Sequence, residues 1–266
     1  QTARPDQALS YLAKFATLSR SPIALGSLWE RDHAALPTLL VMFSASTQIA
    51  ELLMQDPEGY DLLRMTDGQA VDRNILIDEI RSEVLSLTGD PDISEQLERI
   101  RNRELLRIAY GDLVMNQTPD VVANQASILC EALLHSVVEL ASLKAIKKHQ
   151  LDAKDATGLN FSLIALGDLA GNQLSYGTTL NVFIIFQSVS GKKELNEPFY
   201  QMLLNDAVNF LTLASGIRLL DINFSFPLSP QTSTTVTHIN DAIRFLDFSG
   251  RTWQRQELIN ARTIAG

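Results

Sequence analysis

Apolar positions in the first half of the chain recur every three or four residues. Ile77, Ile80, Val84 and Leu87 share one face on that spacing and predict a helix. Asp56 followed by Pro57 reads as the cap and first turn of another helix, and Thr118-Pro119-Asp120 repeats the signal before a long segment over 121–148. That segment ends in Lys144, Lys147 and Lys148. Cations in a last turn interact favourably with the negative end of the helix dipole, so the lysines read as a helix stop. The most apolar stretch, 34–54, is interrupted by Pro37, Thr38, Ser44, Ser46, Thr47, Gln48 and Glu51. It falls short of the roughly 20 apolar residues of a membrane span and predicts a buried helix.

The pattern changes near residue 150. Residues 149–160, HQLDAKDATGLN, are polar without an apolar period and read as a connector. FSLIAL at 161–166 and LNVFIIF at 180–186 are short runs with β-branched and aromatic residues, and both predict strands. A third strand is expected over 217–226, stopped by Pro227, and a helix over 198–214. The tail resumes helical spacing over 239–246 and 253–264. The expected organisation is a helical region at 1–150 followed by an α/β region with a helical tail at 151–266, an α+β chain.

Composition narrows the function. With 31 acidic against 22 basic side chains the net charge is −9, which disfavours nucleic acid and polybasic membrane contact. Apolar residues at 45% and charged residues at 20% are the balance of a folded globular chain. The single cysteine, Cys130, rules out an internal disulfide and a four-cysteine zinc site, and fits a reducing, cytoplasmic compartment. Within a helical pattern it reads as a small packing side chain rather than a nucleophile. His33, His135, His149 and His238 lack zinc-ligand spacing, and neither a GxSxG elbow nor a phosphate-binding P-loop occurs. The opening QTARPDQ has no initiator methionine and no secretory pattern, which predicts a fragment.

The most informative stretch is ALGDLAGNQLSYGTTLNVFIIF at 165–186. It is similar to a segment close to ALGKLGGRELNYGSDIDLIFLY in the bifunctional glutamine synthetase adenylyltransferase and adenylyl-removing enzymes, members of the polymerase-β-like nucleotidyltransferase superfamily. Ala165, Leu166, Gly167, Leu169, Gly171, Leu174, Tyr176 and Gly177 keep the spacing. LSRSPIAL at 18–25 resembles the family's SPFLA segment, and RNRELLRIAYGDL at 101–113 its RRREMLRIALRDL helix. GRTWQRQELINARTIAG at 250–266 resembles GRTWERQALIKARPVAG. The strand and tail fit the N-terminal, adenylyl-removing half better, and family members continue past this point.

The resemblance implies a nucleotidyltransferase core with a small mixed sheet, magnesium and ATP or ADP as cofactors, and two partners: glutamine synthetase and a nitrogen-signalling regulatory protein. It places nucleotide contacts at Gly167, Gly177 and Thr178. Two aspartates separated by one residue on a strand point to one face and build half of a magnesium cage, which a third carboxylate completes. Here those two positions hold Thr179 and Asn181, and the third is Asp221, the one remaining candidate metal ligand. The arginines of the family's VDLRLRP are replaced by Asn223 and Ser225. Neutral oxygens do not offset magnesium dehydration as carboxylates do, and one such electrostatic element is worth about 3 kcal/mol of barrier. The expectation is a degenerate module with weak or no nucleotidyl transfer. One rival is a working enzyme that recruits Asp168, Asp221 or Glu194; another is a helical interaction scaffold. Three structural readings stand beside these. Thr179 and Asn181 form the polar side of a half-buried strand, and Arg99, Arg101, Arg103 and Arg107 form either a solvated face or a docking surface. Trp253 belongs to the core.

Overall fold

In a computed structural model of the chain, residues 4–87, 89–151, 159–188, 195–224 and 235–266 are described. They fall into two compact units, one of residues 1–71 and 100–125, the other of residues 72–99 and 126–266.

The first unit is helical. It contains α1 (Pro5–Leu18), α2 (Pro22–Arg31), α3 (Ala35–Ala45), α4 (Thr47–Gln55) and α5 (Gly59–Thr66), with parts of α7 (Asp90–Leu113) and α8 (Pro119–Lys148). The apolar stretch over 34–54 is two helices rather than one. Ser46 takes an extended backbone, and its hydroxyl accepts from Gln48 N at 3.2 Å, so it ends α3 and caps α4. Asp56 ends α4 and its side chain accepts from Gly59 N at 3.1 Å, but α5 begins at Gly59 with Glu58 before it, so Asp56-Pro57 forms the turn between the two helices rather than the cap and first turn of α5. Phe15, Leu39, Met42, Phe43, Leu53 and Tyr60 are fully buried at the centre, and Tyr60 Oη donates to Ala35 O at 2.6 Å. Burial pushes the Tyr60 phenol well above its ordinary range.

The second unit holds α6 (Arg73–Val84), capped by Asp72; it buries Ile77, Ile80 and Val84 as the spacing predicts, and Leu76 besides, whereas Leu87 lies beyond the helix end and is half-buried. It also holds the larger part of α8, which begins at Pro119 and carries Lys147 and Lys148 in its last turn. One window of α8 is long and apolar enough to cross a membrane, with mean hydropathy 1.5, yet 61% of it is buried inside the fold. Burial of a core helix accounts for that composition. The described strands β1 (Phe161–Leu166), β2 (Leu180–Phe186), β3 (Ile222–Phe224), β4 (Val236–His238) and β5 (Arg262–Ala265) form one mixed sheet, confirming the α+β class. β1 lies antiparallel between β2 and β5, while β3 and β4 follow one another along the other side of β2, both parallel to it.

Three expectations change here. The helix expected over 198–214 is α10 (Glu197–Phe210), and the chain then doubles back. Leu213 N donates to Ile217 O and Leu219 N to Leu211 O, with Gly216 at φ 81°, so 217–221 is the return arm and the strand starts only at Ile222. The end of the expected strand, Pro227 included, lies outside the described residues, as does most of the connector. In the tail, α11 (Ile239–Phe248) and α12 (Thr252–Glu257) are helical, but 262–265 is strand β5. The short turn α9 (Gly167–Ala170) follows β1 directly.

Candidate functional site

The register of β2 against β3 pairs Leu180 with Ile222 and Asn181 with Asn223. Leu180 and Ile222 are buried, whereas Thr179, Asn181, Asp221 and Asn223 are exposed. The alternation of strand side chains therefore brings the three sequence-predicted positions onto one face, joined by Asn223. They are bonded to each other. Thr179 Oγ1 donates to Asp221 Oδ2 in a short hydrogen bond, and Asn223 Nδ2 donates to Asn181 Oδ1 at 3.0 Å. Leu180 N donates to Asp221 O at 2.8 Å, which fixes the start of the ladder.

These residues do not fit magnesium. The Thr179 hydroxyl donates its proton to the only carboxylate of the group, and the Thr179 and Asn181 oxygens carry no charge. A magnesium ion asks for near-octahedral hard oxygens, with carboxylates balancing its charge. Among the described residues, no group of three or more His, Cys, Asp or Glu side chains is placed to hold a metal. Asp168 is exposed on α9, and Glu194 and Ser225 lie outside the described residues.

The loop from β1 to β2 carries the remaining predicted contacts. Gly167 at φ 57° and Gly177 at φ 73° take left-handed backbone, and a Cβ at either would meet open space, so conformation rather than crowding calls for glycine. Thr178 N bonds Ser175 O at 3.3 Å, closing a turn around Tyr176 and Gly177. Leu174 N reaches the buried Ser127 Oγ on α8 at 3.3 Å.

Sequence reasoning missed the ionic cluster behind this loop. Glu131 on α8 is 1% exposed; it accepts from Arg73 Nε at 2.9 Å and from both Arg262 Nη atoms. A glutamate in an apolar helical run was the available signal. The helix resembling RRREMLRIALRDL carries a second buried pair. Arg107 Nε donates to Glu104 at 2.7 Å, Nη1 to Gln69 O at 2.7 Å and Nη2 to Gln125 at 2.8 Å. Arg107 is thus part of the interior of its unit, neither solvated nor open for docking. Trp253 departs the other way, being 50% exposed rather than in the core. His238 caps α11 by accepting from Asn240 N and packs edge-on against Phe186.

The family profile described as Glutamate-ammonia ligase adenylyltransferase matches residues 36–266. The chain is similar to the bifunctional glutamine synthetase adenylyltransferase/adenylyl-removing enzyme of Hahella chejuensis, 27% identical over 94% of the chain and 27% of that protein. The enzyme of the same name from Idiomarina loihiensis is 28% identical over 100% of the chain and 29% of its own length. That of Corynebacterium glutamicum is 24% identical over 100% and 26%. The chain spans about a quarter of the length of the curated relatives it matches.

Proposed function

Because the chain belongs to the glutamate-ammonia ligase adenylyltransferase family, we propose that it is a nucleotidyltransferase-fold module that no longer performs metal-assisted AMP transfer or removal. The observation that carries this reading is the neutral ladder. Where the family resemblance asks for paired aspartates, Thr179 and Asn181 stand hydrogen-bonded to Asp221 and Asn223. The relatives, named as enzymes that adenylylate glutamine synthetase, support that protein as the macromolecular partner. A nitrogen-signalling regulatory protein and a cytoplasmic setting belong to the same proposal. On this reading the module retains the scaffold and its contact surfaces, while magnesium with ATP or ADP is a cofactor of its relatives' chemistry and not of its own.

Binding of Mg-ATP and Mg-ADP by calorimetry tests the reading. The unmodified protein should show no magnesium-dependent heat, whereas the double variant Thr179→Asp/Asn181→Asp should gain magnesium-dependent nucleotide binding, because two carboxylates then face Asp221. Removal of AMP from adenylylated glutamine synthetase by the unmodified protein would overturn the proposal.

A further inference from the structure

The turn that starts the loop between β1 and β2 is held from the far end of the chain. Arg262, paired in register with Ala165 near the end of β1, donates through Nε to Ala170 O at 2.8 Å and through Nη2 to Leu169 O at 3.1 Å. It also reaches the side chain of Asn172, a residue at φ 56°. Leu169 O and Ala170 O are the last carbonyls of α9, so one guanidinium caps its C-terminal end. The planar fork can do this because its own orientation is fixed. Glu131, almost fully buried, accepts from both Nη atoms, and Arg73 braces Glu131 while its Nη2 donates to Ile264 O at 2.7 Å beside Arg262 on β5. A bidentate carboxylate pairing sets the plane of a guanidinium, a constraint that an ammonium lacks.

We propose that Arg262 is the positioning residue of the candidate site: held by Glu131, it sets the Gly167–Ala170 turn and so the approach of the loop carrying Gly177 and Thr178 to the Thr179/Asn181/Asp221/Asn223 face. The identity of anything the loop holds rests on the function proposed above. The ordering of the loop does not, and it is read without a ligand.

Hydrogen exchange on the whole chain tests this. In Arg262→Lys the ion pair with Glu131 persists, but one ammonium nitrogen replaces the separate Nε and Nη atoms that reach Ala170 O and Glu131, so a lysine held by Glu131 gives up the Ala170 carbonyl. Amides of 167–178 should exchange at least tenfold faster, while those of β2 and α10 keep their rates. Arg262→Ala should show the larger effect, and added methylguanidinium at millimolar concentration should restore protection in 167–178 by refilling the same seat. If Arg262→Ala fails to fold, Arg262→Lys alone decides. Unchanged exchange in 167–178, or acceleration spread equally over β1, β2 and α10, would overturn the assignment, the latter because it marks a general staple of the fold. Magnesium-dependent nucleotide binding by the unmodified protein would overturn the proposed function and leave this result standing.

Discussion

Two polar groupings in the same unit have opposite characters. At the β2–β3 edge, Thr179, Asn181, Asp221 and Asn223 are exposed, largely neutral and bonded pairwise. Behind the loop, Glu131, Arg73 and Arg262 are charged, and the carboxylate is 1% exposed. Solvent explains the difference in what each site tolerates. An exposed carboxylate can be exchanged for a hydroxyl or amide with water making up any missing hydrogen bond, so losing a cation-binding role costs the fold little. A buried carboxylate facing two guanidiniums has no such recourse, since removing it leaves charges without a partner. The side chains of the β2–β3 edge can therefore vary without loosening the ionic cluster of Glu131, Arg73 and Arg262 at the β5 side of the sheet.

The sharpest way to break this comparison is Glu131→Gln. It keeps the side-chain volume but strips two guanidiniums of their counter-ion, and removal of one partner from a buried pair costs about 3–5 kcal/mol. Both arginine side chains keep about a third of their surface in water, 31% for Arg73 and 32% for Arg262, so the lower end of that range is expected. Chemical denaturation reads it directly. A loss under about 1 kcal/mol would mean that the cluster is no more stabilising than an exposed ion pair.

These two groupings also mark how far the sequence could be read. The face formed by Ile77, Ile80 and Val84 and the shared side of Thr179 and Asn181 follow from periods of 3.6 and 2, which are local and visible. The break at Ser46 was readable in principle, but the surrounding apolar residues outweighed one cap. β4 and β5 are short and gain their pairing partners from distant residues, so propensity alone does not reveal them; helical spacing even suggested the wrong structure for 262–264. The pairing of Glu131 with Arg262 joins residues 131 apart in sequence, and no periodicity encodes it. Arg107 looked like part of a basic face because charge pattern says nothing of burial, and only the Glu104, Gln125 and Gln69 contacts place it inside.

A smaller effect should appear with pH at His135, on the same helix as Glu131. Burial holds its imidazole below the usual value of 6.5, Arg73 and Arg81 act in the same direction, and Glu139, itself paired with Arg81 at 2.7 Å, opposes them. The folded state therefore binds its proton less readily than the unfolded chain. Stability contributed by the neutral ring is complete above about pH 6.5 and declines as pH falls from there toward the folded-state value. Melting temperatures between pH 8 and 5 should show this decline, and His135→Gln should flatten it. An identical slope in the variant would assign the pH dependence to other groups.

The smallest effect is expected at Thr179→Ala. The substitution removes the hydroxyl bonded to Asp221, but both positions are exposed and water can take over the acceptor. Surface changes of this kind stay within about 0.5 kcal/mol, and the backbone bond from Leu180 N to Asp221 O is untouched, so the strand pair keeps its register. Denaturation midpoints with and without magnesium should coincide for this variant and for the unmodified protein. A loss of about 2 kcal/mol, or stabilisation by magnesium that depends on Thr179, would show that the edge still stabilises the fold through an ion. The contrast with the buried cluster would then disappear, because exposure would no longer predict which polar group the molecule can spare.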